Sequence, residues 1–435
     1  MKLNPIINSL LETDAYKLSM GQAIFHQFPT YKTTWSFKCR NTDVYFTPEM
    51  LKEIEEQVDS YCKLSFKEDE LAWLAKNLPW IKEDYIAFLR FWHPRREEIH
   101  INEWNQQGMD DSGLVIDCTG TWLNTSMYEI AILAIVSEVY FAFKYGPGAK
   151  DIEFQKRTME KFNKFRKQED LDAIDNKYQG SPDHTTKINE YLASHYESIV
   201  FSEFGMRRRY SREMQDWLVK FIVDQKIPGF VGTSNVYLAK KYGVKAVGTQ
   251  AHEFIMCVGQ GTREWNPAYS NKFALESWVK EYGIANGISL TDTLGTDVFL
   301  KDFNQTYATL FSGVRHDSGD PLEWGEKLIA HYKKLGIDPK TKTLLFSDSL
   351  NFERATEIKK HFEGRAKVAF GIGTYLTGIQ CNTNDCHPLN IVCKVTECNG
   401  RPVAKISDTP TKCMCKDTQY VEYLKRCINW RMKYN

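Results

Sequence analysis

The sequence predicts an α/β protein built from parallel β/α units. Two observations carry this. Beyond residue 200, six short apolar runs each end in small polar residues: "GFVGTSN", "KAVGTQAHE", "ISLTDT", "LFSGVRHDSGDP", "TLLFSDSLN" and "KVAFGIGT". Clear helical stretches, "PLEWGEKLIAHYKKLG" and "NFERATEIKKHF", alternate with the later runs. Such alternation builds either a barrel or an open doubly wound sheet. In both, functional groups collect where strands give way to loops. Each run carries Gly, Thr, Ser, Asp, His or Arg there, the residues that hydrogen-bond phosphate, hydroxyls and metal ions.

The totals are compatible with this class. At 435 residues the chain holds two domains, or one barrel with appendages. Lys+Arg and Asp+Glu both total 56, so net charge gives no reason to expect nucleic acid or an acidic membrane as partner. No apolar run approaches the roughly 18 residues of a membrane span. The N-terminal "MKLNPIINSLLETDAYK" lacks the apolar core of a secretory signal. The expected compartment is the cytoplasm, where the 11 cysteines stay reduced. No CxxC pair is present. Cys413 and Cys415 are the closest pair, and Cys386–His387 lies upstream. Cys393 and Cys398 sit in "NIVCKVTECNG", whose alternation predicts a hairpin, and read as small apolar fillers rather than zinc ligands.

Residues 1–145 mix both patterns. Thr13 is placed to cap a helix through "DAYKLSMGQAIFHQF" that stops before Pro29. "TTWSFKCR" alternates as a strand does, and "EIAILAIVSEVYFAF" reads as a buried helix. Residues 165–190 are polar, with Gly180-Ser181-Pro182 in the middle, and read as a surface insertion.

Four stretches carry chemistry. In "FGIGT", Gly371 and Gly373 let backbone N–H groups approach an anion, and Thr374 adds a hydroxyl. In "RHDSGDP", Arg315 offers a planar fork for a carboxylate or phosphate. Asp317 and Asp320 there suit ribose hydroxyls or hydrated magnesium, or else an N-capping loop. "FSDSLN" sets Asp348 and Ser349 at another strand end, with Asp348 a second diol or magnesium carboxylate, or a helix cap. "FGMRRRYSR" packs Arg207, Arg208, Arg209 and Arg212 together, a density that demands acidic partners or an anionic ligand. His252 in "GTQAHEF" remains open at this level: core residue, metal ligand, base or covalent intermediate. Together the stretches suggest an enzyme acting on a phosphorylated sugar with magnesium.

These segments, with "TDAYKLSMGQAIFHQFP", "FKCRN" and "PLNIVCKVTECNGRPVAKISD", occur in one order from Thr13 to Asp408. In that order the chain resembles the nicotinate phosphoribosyltransferases, type II phosphoribosyltransferases of the bacterial, ATP-coupled kind. The resemblance implies an irregular α/β barrel over residues 146–380 that holds the active site. It implies an N-terminal α/β domain over 1–145, onto which 381–435 packs back. It implies a reaction joining nicotinate to 5-phosphoribosyl-1-pyrophosphate, giving nicotinate mononucleotide and pyrophosphate in NAD salvage, with ATP and Mg2+ as cofactors.

Residue roles follow from the same resemblance. Tyr16 and Phe204 sandwich the pyridine ring, the tyrosine coming from the neighbouring subunit of a homodimer. Arg315 binds the nicotinate side and Arg207 the phosphoribosyl pyrophosphate. Asp317 and Asp348 hold the ribose and magnesium region, while Gly371, Gly373 and Thr374 hold the 5-phosphate. His252 matches the histidine that ATP phosphorylates, and Glu253 is placed to orient its ring. Related nicotinamide enzymes carry an aspartate where Ser234 stands. A hydroxyl donates to a carboxylate and an aspartate repels it, so Ser234 favours nicotinate. The competing readings are a nicotinamide phosphoribosyltransferase, another sugar-phosphate barrel enzyme, and a non-catalytic phosphosugar-binding protein.

Overall fold

The computed structural model describes residues 1–102, 112–165, 177–183, 186–187, 199–262, 264, 266–379, 387–409, 415 and 417–434. The polar stretch 165–190 lies largely outside them, as do Cys381, Cys386 and Cys413.

Seven parallel strands form the larger sheet: β4 (Phe201–Glu203), β5 (Phe230–Thr233), β6 (Lys245–Ala246), β7 (Ile288–Leu290), β8 (Gly313–His316), β9 (Thr343–Phe346) and β10 (Lys367–Ile372). Their spatial order is β6-β5-β4-β10-β9-β8-β7. The last strand in sequence pairs with the first, which is the cyclic order of a barrel. No pairing joins β6 to β7 among the described residues, so the sheet curls into a barrel with one open seam. The Thr249 hydroxyl donates to the Ile288 carbonyl across that seam at 2.7 Å. All six apolar runs form strands. The seventh, β4, lies in "FSE", too short for periodicity to reveal. Tight spacing explains Gly232 on β5: an added Cβ would lie 2.0 Å from the Lys245 carbonyl oxygen. Phe201, Leu290, Val314, Leu344, Phe346, Phe370 and Ile372 fill the core.

The second sheet is antiparallel, ordered β12-β11-β1-β3-β2. It joins β1 (Lys32–Cys39), β2 (Ile99–Asn102) and β3 (Val115–Thr121) to β11 (Ile391–Cys398) and β12 (Arg401–Pro402). β11 pairs with β1 across some 350 residues of chain, from Thr33↔Cys398 to Cys39↔Ile391. The expected hairpin forms, and Cys393 and Cys398 are buried in it.

Two expectations about helices change. The first helix is Ala15–Gln27, with Asp14 rather than Thr13 at its N-cap, and neither side chain caps it. The Asp14 carboxylate is taken by Ser234, and the buried Thr13 hydroxyl has no hydrogen-bond partner among the described residues. The helix Trp122–Tyr145 is long and apolar enough to cross a membrane by length and composition. Glu129, Ser137 and Glu138 break its apolar run, and the buried helix expected in "EIAILAIVSEVYFAF" forms as part of this longer one. It is buried from Trp122 to Phe141 as a core helix.

Candidate active site

The C-terminal ends of β6, β7 and β8 bring four polar side chains together, and the chain's last third adds a fifth. His252 opens the helix His252–Gln260 that follows β6. Asp292 and Thr293 follow β7, and Asp317 follows β8. Past β12, the Ile406 amide donates to the Thr293 carbonyl at 2.8 Å, which lays Lys405 over the barrel mouth. His252 Nδ1 lies 2.9 Å from Thr293 Oγ1, and Nε2 lies 3.0 Å from Asp317 Oδ2. Lys405 Nζ stands 2.9 Å from His252 Nε2 and 2.9 Å from Asp292 Oδ2. Ser318 also donates to Asp292.

The electrostatics keep His252 neutral. Burial, then the Lys405 ammonium, push its pKa down to about 4 despite the two aspartates. At neutral pH the ring therefore carries one N–H and one lone pair: Nε2 either donates to Asp317 or accepts from Lys405, and the Thr293 hydroxyl serves Nδ1 in either tautomer. Burial alone would raise Asp317, but the His252 hydrogen bond and Lys405 overcome it and hold the carboxyl well below its ordinary range. His252, Asp292 and Asp317 present ligand atoms within 4.8 Å of one another. Asp292 Oδ1 is buried without a hydrogen-bond partner among the described residues. Two carboxylates with an orphaned oxygen fit a divalent cation with oxygen preference. The grouping sets Asp292 and His252 beside the expected Asp317. Asp348 receives the exposed Ser349 hydroxyl at 3.1 Å. Asp320 caps the helix Pro321–Lys334, accepting from the Leu322 and Glu323 amides, which settles its earlier alternatives.

The arginine run divides by function. Arg209 is fully buried and binds Glu138 at 2.7 Å and Glu12 at 3.3 Å, and Arg212 also binds Glu12. Those two answer the demand for acidic partners structurally. Arg207 is 43% exposed, with Glu129 at 3.6 Å, and lies within electrostatic reach of Tyr16, Asp14 and Asp317. Arg208 donates to the Ile391 carbonyl, and burial with Arg207 and Arg40 lowers its pKa to about 10. Lys394 on β11 faces the same group, and burial brings its pKa down to about 8. Crowded cations of this kind prepare a surface for a polyanion.

Phe204 continues β4, its amide bonded to the Ile372 carbonyl. A Cβ on Gly371 would lie 2.4 Å from its ring, so glycine is required for the aromatic face to lie across the end of β10. Gly373 caps the short helix Thr374–Thr377, and both Gly373 and Thr374 are half-buried. Ser234 differs from its expected part: its hydroxyl is already given to Asp14 Oδ1 at 2.6 Å. The Ala15 amide bonds to the Ser234 carbonyl, so Tyr16 is buried beside its own chain's Ser234 and Arg207. The Ser234–Asp14 contact has a direct consequence. A Ser234→Asp variant puts two buried carboxylates side by side, which forces one to hold a proton at neutral pH. Its preference for nicotinamide over nicotinate is expected to rise as pH rises; a ratio independent of pH in parallel assays of both bases would contradict this.

Glu253 does not reach the His252 ring. Its carboxylate is bound by Lys17, Ser126 and Trp122. Sequence reasoning missed Asp292, Lys405 and Asp14. Asp292 stood in "SLTDT", a run already read as a strand end, and its position was the available signal. Lys405 had none, because its site is reached only through the tertiary fold.

Residues 11–137 match the nicotinate phosphoribosyltransferase N-terminal domain, and residues 199–430 match the nicotinate phosphoribosyltransferase family. The chain is 40% identical over 428 residues to a nicotinate phosphoribosyltransferase of Chromobacterium violaceum, covering 98% of each. Its fold is similar to crystal structures of nicotinate phosphoribosyltransferases from Porphyromonas gingivalis and Vibrio cholerae. The first has a TM-score of 0.83 at 32% identity, over 98% of this chain and 100% of that one. The second has 0.82 at 34%, over 98% and 96%. Matched from its N-terminal sheet through its barrel, the chain belongs to the nicotinate phosphoribosyltransferase family.

Proposed function

We infer that the chain transfers the phosphoribosyl group of 5-phosphoribosyl-1-pyrophosphate to nicotinate, a step of NAD salvage, and that ATP drives the transfer by phosphorylating His252. The observation that carries the coupling is the neutral, buried His252 with Nε2 between Lys405 and Asp317. A neutral imidazole is a nucleophile, and Lys405 supplies positive charge where a transferred phosphoryl group would rest. Glycosyl transfer itself asks for no protein nucleophile. Stacking on Phe204 and Tyr16 and the grip of Arg315 align the pyridine nitrogen, while Arg207, Arg208 and Lys394 face the departing pyrophosphate. Gly371, Gly373 and Thr374 line the end of β10 where a 5-phosphate would sit, with Asp348 and Ser349 toward the ribose. Asp292 and Asp317 would hold Mg2+, which supplies charge neutralisation for the pyrophosphate when bound.

Pyrophosphate release from 5-phosphoribosyl-1-pyrophosphate with nicotinate, with and without ATP, tests the reading. ATP is expected to leave an acid-labile phosphate on the protein. His252→Ala is expected to lose both that phosphate and the ATP stimulation while a slower transfer persists. Full ATP stimulation in His252→Ala would exclude the phosphohistidine. Substitution of nicotinamide for nicotinate in the same assay separates the neighbouring activity. We further propose a homodimer, tested by sedimentation, and a cytoplasmic location, tested by cell fractionation.

A further inference from the structure

Gln250 lies between β6 and His252, in a loop that none of the roles above uses. It is 2% exposed, yet its Nε2 makes no hydrogen bond to any described residue. A buried amide N–H left unpaired costs free energy comparable to a lost hydrogen bond. One other N–H donor at the same strand ends shares this state. Arg315 Nε is buried without a partner among the described residues. The two residues touch: Arg315 Nη1 donates to the Gln250 carbonyl at a long 3.4 Å, and Arg315 Nη2 stands 3.9 Å from Asp317. Loose contacts on the guanidinium, and an unused amide on the residue whose backbone carbonyl it touches, leave two donors for one acceptor.

We propose that Gln250 is a specificity-determining residue that donates its side-chain amide to the carboxylate of the base, alongside Arg315. This rests on the nicotinate reading above. Arg315 supplies the charge, and Gln250 supplies a neutral donor whose direction is fixed by the turn between Thr249, anchored to β7, and the helix at His252. A planar carboxylate has two oxygens and takes donors from two sides. A carboxamide offers only one acceptor oxygen and brings two N–H groups of its own, so one of the two donors would face an N–H. The pair therefore selects the acid over the amide.

The unpaired state also separates this role from a structural one. Removing a side chain that satisfies nothing within the fold should not destabilise it, whereas removing a structural hydrogen bond should. In Gln250→Leu, KM for nicotinate is expected to rise roughly ten-fold or more, the loss of a hydrogen bond to a charged group. kcat and KM for 5-phosphoribosyl-1-pyrophosphate should stay within about two-fold, and the melting temperature should not fall. In Gln250→Glu, nicotinate should be weakened far more than nicotinamide, because the new carboxylate repels only the acid. An unchanged KM for nicotinate in Gln250→Leu, or equal losses for both bases in Gln250→Glu, overturns the assignment. A fall in melting temperature accompanied by loss of every kinetic parameter also overturns it, in favour of a structural residue. Failure of the native enzyme to turn over nicotinate at all overturns the functional reading as well, and so differs from either result.

Discussion

Replacing Lys17 by methionine is expected to cost about 3–5 kcal/mol of folding stability. Lys17 is fully buried, and its ammonium lies between two buried carboxylates, Glu129 at 2.7 Å and Glu253 in closer contact. It also sits 4.8 Å from the centre of the Trp35 ring. Methionine keeps much of the side-chain length and removes the charge, leaving two carboxylates that face each other without a cation. The ion pairs tie three helices, Ala15–Gln27, Trp122–Tyr145 and His252–Gln260, so the loss is felt globally. Denaturant unfolding reads it as a lowered midpoint with an unchanged slope. The deficit has a pH signature. Burial already raises the Glu253 pKa with Lys17 present, and Lys17 is the main opposing charge. Without it the folded-state pKa climbs further. A carboxyl raised above its unfolded value stabilises the fold below the unfolded pKa and loses that contribution as pH rises through the folded pKa. The variant should therefore recover toward native stability as pH falls below 7 and be weakest above it. A further Glu253→Gln change should restore part of the loss. A midpoint that matches the native protein at pH 8 would show that the pair contributes nothing net.

Arg315→Ala is expected to reduce kcat/KM for nicotinate by about 2–5 kcal/mol of binding, roughly thirty-fold to several thousand-fold. The guanidinium is largely buried, its contacts within the fold are long, and Nε has none among the described residues. Most of its hydrogen-bonding capacity is therefore free for a ligand. Arg315→Lys should recover little, because an ammonium cannot present a planar fork. Stability should change far less than in the Lys17 variant. A kcat/KM within three-fold of native in Arg315→Ala would remove the residue from the base-binding site.

The parts of this molecule legible in the sequence are those written locally. Six strands announced themselves because a short apolar run must stop where the chain turns polar, and Arg315, Asp317 and His252 lie at such stops. The helix around Ile130–Val136 was legible from its apolar content. Other features depend on contacts between distant segments. Lys17 meets Glu253 across 236 positions, and Lys405 meets His252 across 153. A lysine that neutralises buried carboxylates looks in sequence like any other lysine. The arginine run shows the same limit within nine residues. Its density demanded counter-charge, but only the fold shows that Glu12 and Glu138 answer it for Arg209 while Arg207 and Arg208 lie within electrostatic reach of Asp317. Ser234 was correctly marked as a polar strand end, yet its partner, Asp14, comes from 220 positions away.

The return of the chain from β11 to the barrel mouth sets an order on synthesis. All seven barrel strands are complete once Ile372 has left the ribosome, but β1 gains β11 as its neighbour only after residue 398, and His252 meets Lys405 later still. Contacts spanning so much chain form late and slowly. A nascent barrel thus carries its histidine and aspartates without their cation, and the charged centre is assembled last, when the whole chain is present to close it.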